Sequence, residues 1–273
     1  MSAGTLVIEP GRSAKNYWRD LWRYRELLYF LTWRDITVRY KQTAIGIAWA
    51  VIQPALTMLV FVAFRRMTHL GARGASDAVL VLAAVLPWQF FSTALSDSSG
   101  SLIGNSNLIS KVYFPRIIIP CASIATSLAD FTVALGLLAV LMAWAGVAPS
   151  WSIVMLPAFT ALALLLAAGS GLLLAALNVR YRDFRYVIPF VVQFGLYLSP
   201  VAFKTSDIPA RWRGLYILNP MAGVIDGFRW AILGGAAPPD TSAIEVSVVA
   251  AAGLLLIGVW YFRRVERTFA DVI

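Results

Sequence analysis

Asp130 is the one acidic side chain deep inside a long apolar run of this sequence. A carboxylate in hydrocarbon is costly and is by default a functional candidate. A proton relay would need further ionisable groups at similar depth, and the other apolar runs supply none; Glu245 falls at the very start of the last one. The expectation is therefore a bridging or helix-packing role for Asp130. Gln53 and Gln193 lie near the middles of two other apolar runs, where each either bonds a neighbouring helix or faces a hydrated path. Catalytic patterns are missing. The sequence contains no Gly-x4-Gly-Lys-Ser/Thr loop, no His-Glu-x-x-His and no Gly-x-Ser-x-Gly. Its single cysteine, Cys121, has no metal-ligand spacing around it, and its single histidine, His69, reads as a solvated loop residue. No metal site and no ATP hydrolysis are expected of this chain.

The elements that must position these residues are helices in a membrane. Of 273 residues, 59% are hydrophobic and 14% charged. Soluble domains run nearer 45–50% apolar and about 25% charged. The mean hydropathy of +0.73 points the same way. Six apolar runs are long enough to read as spans, at about 44–64, 78–96, 121–144, 152–178, 187–203 and 244–262. The fold class expected is an all-α polytopic membrane protein in which residues 16–273 form one domain. Residues 1–15 read as a disordered tail without a secretory signal. From Asn16 onward the chain is aromatic and basic. Thr32 and Asp35 have capping-box spacing, so a second helical segment is expected to start there. In it Trp33, Ile36 and Tyr40 form one face, with Arg34, Arg39 and Lys41 elsewhere. Such a segment suits the membrane interface or the surface of a partner. Between spans five and six, Asn219 and Pro220 are a cap and a helix-starting proline. The helix expected from Met221 to Leu233 is too short to cross and is expected to re-enter the outer leaflet.

Six spans place both termini on one side. Of 23 Lys and Arg residues, 16 fall on that side and 7 on the other. The excess puts both termini in the cytoplasm and makes the net charge of +9 a matter of membrane flanks rather than nucleic acid. The stretch 96–120, SDSSGSLIGNSNLISKVYFPRIIIP, is then a cytoplasmic polar break between two spans. Asn105 or Ser106 caps a short helix over about 107–112, and Pro115 stops it. Leu108, Ile109 and Val112 share one face of it. An ordinary solvated loop is the plain alternative.

The run Asn107-Leu-Ile-Ser-Lys-Val-Tyr-Phe-Pro-Arg116, followed by Pro120, resembles the loop between spans two and three in permease subunits of type-2 ABC exporters. The likeness is to the branch that exports bacterial surface polysaccharides such as O-antigen, capsule or teichoic acid. TWRDITVRYKQTAIGIAW at 32–49, NVRYRDFRY at 178–186, LNPMAGVIDGFRWAIL at 218–233 and the terminal FADVI carry it further.

The resemblance implies a coupling helix that docks into a separate ATPase chain, which holds ATP and Mg. Asn107, Leu108, Ile109, Lys111, Val112, Tyr113 and Phe114 would form that contact, with Arg182 and Asp183 in a second one. It implies a permease homodimer, two ATPase subunits, a lipid-linked polysaccharide as cargo and the bacterial inner membrane as location. Gln53, Trp88, Phe91, Gln193, Phe194 and Tyr197 are the channel-wall candidates, because aromatic faces stack on sugar rings without trapping them. Trp33, Arg34, Arg39 and Tyr40 belong to the interfacial helix. Asn219, Asp226, Phe228 and Arg229 fall where the family has outer-gate helices. Export of a small drug or lipid is the alternative within transport. A membrane glycosyl- or acyltransferase is the alternative outside it, and no catalytic cluster supports that.

The orientation is testable in a Cys121→Ser background. In intact spheroplasts a membrane-impermeant thiol reagent should label Asp240→Cys and spare Ser106→Cys. The reverse pattern contradicts the charge count.

Overall fold

The computed structural model describes residues 13–41, 46–69, 75–201, 203, 208–234 and 239–269. Among these residues there is no strand. The helices are α1 (Ser13–Arg23), α2 (Arg25–Lys41), α3 (Ala48–Met67), α4 (Ala75–Gly104), α5 (Ser106–Lys111), α6 (Ile118–Ala145), α7 (Leu156–Arg180), α8 (Phe184–Leu198), α9 (Ala210–Ile217), α10 (Pro220–Leu233) and α11 (Thr241–Val265). A 3₁₀ turn, Trp151–Met155, leads into α7, and another, Glu266–Thr268, follows α11. Helices α3, α4, α6, α7 with its leading turn, and α11 are long and apolar enough to cross a membrane. Helix α8 has 15 residues, about 22 Å, and falls short of a hydrocarbon core about 30 Å thick. It starts three residues before the expected span and stops five before its end. Pro200 is the cause: it drives Ser199 to an extended conformation (φ −99°, ψ 152°), which ends the helix.

Helix α4 is the axis of the bundle. It packs against α3, α6, α7, α8 and α10. From Val81 to Leu86 it is buried on every side, as a helix apolar all round must be. Two expectations about its neighbourhood change. The first is that 96–104 is not a loop. Helix α4 continues to Gly104; Ser98, Ser99 and Ser101 are buried in it, and their hydroxyls are satisfied by the carbonyls of Leu95, Ser96 and Ser98. The eight residues past the expected span lift α5 about 12 Å further from the membrane centre. The second is that α2 does not begin at Thr32. It runs unbroken from Arg25, and the Thr32 hydroxyl bonds back to the Leu28 carbonyl at 2.8 Å instead of capping. The break lies at Tyr24, between α1 and α2.

Two apolar clusters hold the bundle. One joins α4, α6, α7 and α10 through Leu82, Leu86, Phe131, Leu166 and Phe228. The other forms a base around α5, where Leu31, Leu102, Ile109, Phe114, Val179 and Phe262 meet. Helices α7 and α11 approach through glycine. A Cβ on Gly169 would lie 2.8 Å from the Leu255 Cα, and one on Gly258 would strike the Gly169 carbonyl. At the end of the bundle away from α5, Arg65 and Asp77 form a buried ion pair, Nη2 to Oδ1 at 3.0 Å, that ties α3 to α4.

Gly169→Ala should lower stability by about 1–3 kcal/mol through overpacking. Gly253→Ala on α11 has nothing within 4 Å of the added carbon and should be neutral or stabilising by up to about 1 kcal/mol. Thermal unfolding followed by fluorescence size-exclusion checks both; equal effects would contradict the close α7–α11 contact.

Candidate functional site

Helix α5 is six residues long and sits at the tip of the α4 extension. Its N-cap residue is Asn105, but Asn105 makes no side-chain cap. The Asn105 amide instead donates to the Ser101 carbonyl at 2.9 Å and accepts from Arg34 Nη2 at 2.9 Å. Helix α5 is thus fastened to α2 at the joint that introduces it. The expected docking face divides. Ile109 and Phe114 are 5% and 4% exposed and belong to the base of this chain, so they anchor α5 rather than present it. Leu108 is partly buried beside them. Asn107, Ser110, Lys111, Val112 and Tyr113 face outward. Arg182 and Asp183 are also exposed. They lie in the short turn just after Val179, a base residue, and so at the same end of the molecule as α5.

The strongest electrostatic feature was half-visible in the sequence. Asp130 on α6 accepts hydrogen bonds from the Arg39 guanidinium and from the Tyr40 hydroxyl, both on α2. The same guanidinium reaches Asp97 on α4, Nη2 to Oδ2 at 2.7 Å. Arg39 therefore joins α2, α4 and α6 at one point. Burial opposes the Arg39 charge, but the hydrogen bonds and charges of Asp97 and Asp130 hold it above its ordinary pKa. Burial first, then the Asp130 hydrogen bond and charge, push the Tyr40 phenol upward, so it stays a donor. Asp97 went unnoticed because it falls one residue past the expected end of span two. The signal that could have found it is physical: a carboxylate as deep as Asp130 requires a cation, and the aromatic, basic α2 is the element that offers one.

A cavity of about 520 Å³ opens beside this knot, between the α2–α3 elbow and α4 and α6. Gln53 and Trp49 from α3 and Gln89 and Thr93 from α4 contribute to its wall, with Phe90 and Phe131 behind. The other channel-wall candidates lie elsewhere. Gln193, Phe194 and Tyr197 are exposed on α8. Phe194 stacks on Phe190 at 4.2 Å between centroids. Trp88 is 6% exposed, wedged beneath α8 where a Cβ on Gly195 would meet its ring. Phe91 lies beside it at 5.7 Å. Within one chain Trp88 is therefore covered by α8.

The outer-gate candidates are also mostly packing. Asn219 does cap α10: its Oδ1 accepts from the Met221 amide at 3.0 Å, and its Nδ2 donates to the Leu198 carbonyl and the Ser199 hydroxyl. Phe228 is fully buried against Phe131. Arg229 is 6% exposed and donates to the carbonyls of Val201 and Phe203 at 2.7 and 2.8 Å, with Asp226 at 3.6 Å. Helix α10 is a wedge among α4, α7 and α11 that pins the chain leaving α8, and Phe228 and Arg229 are buried among the described residues. Trp33 is exposed on α2, facing away from the bundle.

Comparison with known proteins places this arrangement. The chain is 27% identical over 257 residues to the O-antigen export system permease protein RfbA of Myxococcus xanthus, covering 93% of this chain and 98% of that one. It is 24% identical to the protein of the same name from Klebsiella pneumoniae, over 91% and 95% of the two chains. To the polysialic acid transport protein KpsM of Escherichia coli it is 23% identical, over 74% and 79%. The family model described as ABC-2 type transporter matches residues 26–233, from the start of α2 to the end of α10, and the chain belongs to that family.

Proposed function

We propose that this chain is the permease subunit of an ATP-driven exporter that moves a lipid-linked polysaccharide across the bacterial inner membrane. The observation that carries the reading is the end-to-end similarity to an O-antigen export permease, over nearly all of both chains. Two copies of the chain form the channel, both termini lie in the cytoplasm, and two separate ATPase subunits hold ATP and Mg. The sequence supports the division of labour, since it carries no phosphate-binding loop of its own. Helix α5 supports it too. A short helix with Asn107, Lys111, Val112 and Tyr113 turned outward, on a base locked by Ile109 and Phe114, suits a docking element that transmits force. Arg182 and Asp183 supply a second contact. Gln193, Phe194 and Tyr197 on the open face of α8 remain the wall of the path, because a polymer must slide past contacts that are individually weak. A small drug or lipid is the weaker cargo, since the relatives that match most of the chain are named for O-antigen and polysialic acid.

Deleting the gene should strand completed lipid-linked glycan on the cytoplasmic face without stopping its synthesis. Polymer that still reaches the surface in normal amount would sink the reading; polymer that is never made would favour an enzyme. At the docking surface, Val112→Asp should cut export several-fold with the chain at normal level. Ile109→Asp should instead lower the amount of inserted chain, because it places an unpaired charge in the base.

A further inference from the structure

We propose that the cavity at the α2–α3 elbow is a subsite for one uncharged sugar ring of the exported glycan. This rests on the exporter reading and adds a place and a ligand chemistry to it. The cavity, about 520 Å³, is within the usual range of small-ligand sites and has room for a sugar ring. Its charges are already matched. The Arg39 guanidinium is held between Asp97 and Asp130, so a phosphate or carboxylate gains little from it. Both Asp130 oxygens accept hydrogen bonds, from Arg39 and Tyr40, so an ammonium gains little from them. A guest favoured here is neutral.

The same guest should also donate hydrogen bonds. Gln89 Oε1 is buried with no partner among the described residues, and an unmet acceptor of that kind is stabilised by a donor. Gln53, which is exposed, adds an amide at the rim, and Thr93 a hydroxyl. The remaining wall is apolar and aromatic. Trp49 is 56% exposed at the rim, and Phe90 and Phe131 lie deeper. A pyranose matches both halves at once: its hydroxyls meet the amides, and its C–H face packs on the rings. A plain alkyl chain would match the rings and leave the amides unmet. The cavity also lies on a different part of α4 from α8: Leu86, Gln89, Phe90 and Thr93 line it, whereas α8 packs over Trp88. It adjoins α2, at the end of α3 nearest α5, so it meets the glycan at the level of the interfacial helix rather than along the α8 wall.

The test is saturation-transfer NMR on the full chain in nanodiscs. The probes are the methyl glycosides of glucose, galactose, mannose, rhamnose and N-acetylglucosamine, set against glucose 1-phosphate and hexylammonium. At least one glycoside should give saturable transfer to its ring protons. The Gln89→Leu variant should weaken binding by about fivefold, as loss of one hydrogen bond predicts. Ala50→Trp, which fills the cavity from α3, should abolish it. The proposal is overturned if no glycoside binds, if binding is unchanged in Gln89→Leu, or if the anion or the ammonium binds more tightly. These outcomes are distinct from failure of the exporter reading. A deletion strain that strands glycan, together with a cavity that binds no glycoside, leaves the exporter and removes the subsite. A cavity that binds glycoside in a chain whose deletion leaves export normal removes the exporter and leaves a sugar site.

Discussion

The molecule is organised around the requirement that a charge held near hydrocarbon must be matched. Asp130 lies about 18 Å along α6 from its first residue, far enough that an uncompensated carboxylate would be strongly disfavoured. The match comes from Arg39, which also takes Asp97, and from Tyr40. Because the donors sit on α2 and the acceptors on α4 and α6, satisfying the charge draws α2 against the bundle. The cavity between the end of α2, the start of α3, α4 and α6 lies where that helix is drawn in. Gly46, at φ 56°, takes the chain around this corner in a conformation that other residues rarely adopt.

A second tie on α2 gives the arrangement mechanical meaning. Arg34 bonds Asn105, the residue that leads into α5. Ile109 and Phe114 seat α5 in the base with Leu31 of α2. Helix α5 is thus joined to α2 by a hydrogen bond and by packing, and α2 in turn carries Arg39 to Asp97 and Asp130. At the opposite end, Arg229 and Asn219 fasten the turn after α8 to α10. Helix α8 is thereby held at its end while much of its length stays uncovered, which suits a surface meant for a second copy or a sliding polymer.

Hydropathy made the helical membrane class and the cores of the long helices legible, because length and apolar composition suffice for that. The Asn219–Pro220 start of α10 was legible for a local reason: capping is a short-range signal. What stayed hidden depended on tertiary partners. The serines at 98, 99 and 101 read as loop residues, yet they lie within α4 facing a packed interior, with their hydroxyls satisfied by their own backbone. Ile109 and Val112 look equivalent on a helix face; only the base distinguishes the anchor from the exposed residue. The resemblance puts Phe228 and Arg229 at an outer gate, but Phe228 packs on Phe131 of α6 and Arg229 on the chain after α8, contacts that the sequence does not show. Asp97 is legible only by way of Arg39, the cation that the depth of Asp130 requires.

The central claim is that Asp130 is a structural tie and not a proton carrier. Export measured as the ratio of surface to cytoplasmic lipid-linked glycan decides it, in strains carrying Asp130→Asn or Asp130→Leu at equal chain levels. Asparagine keeps one acceptor oxygen for Arg39, and its amide can donate to the Tyr40 oxygen, but it cannot carry a proton; leucine neither makes these bonds nor carries a proton. Asp130→Asn should keep most of the export and Asp130→Leu should lose most of it. Equal loss in both strains, with the chain inserted normally, would contradict the account.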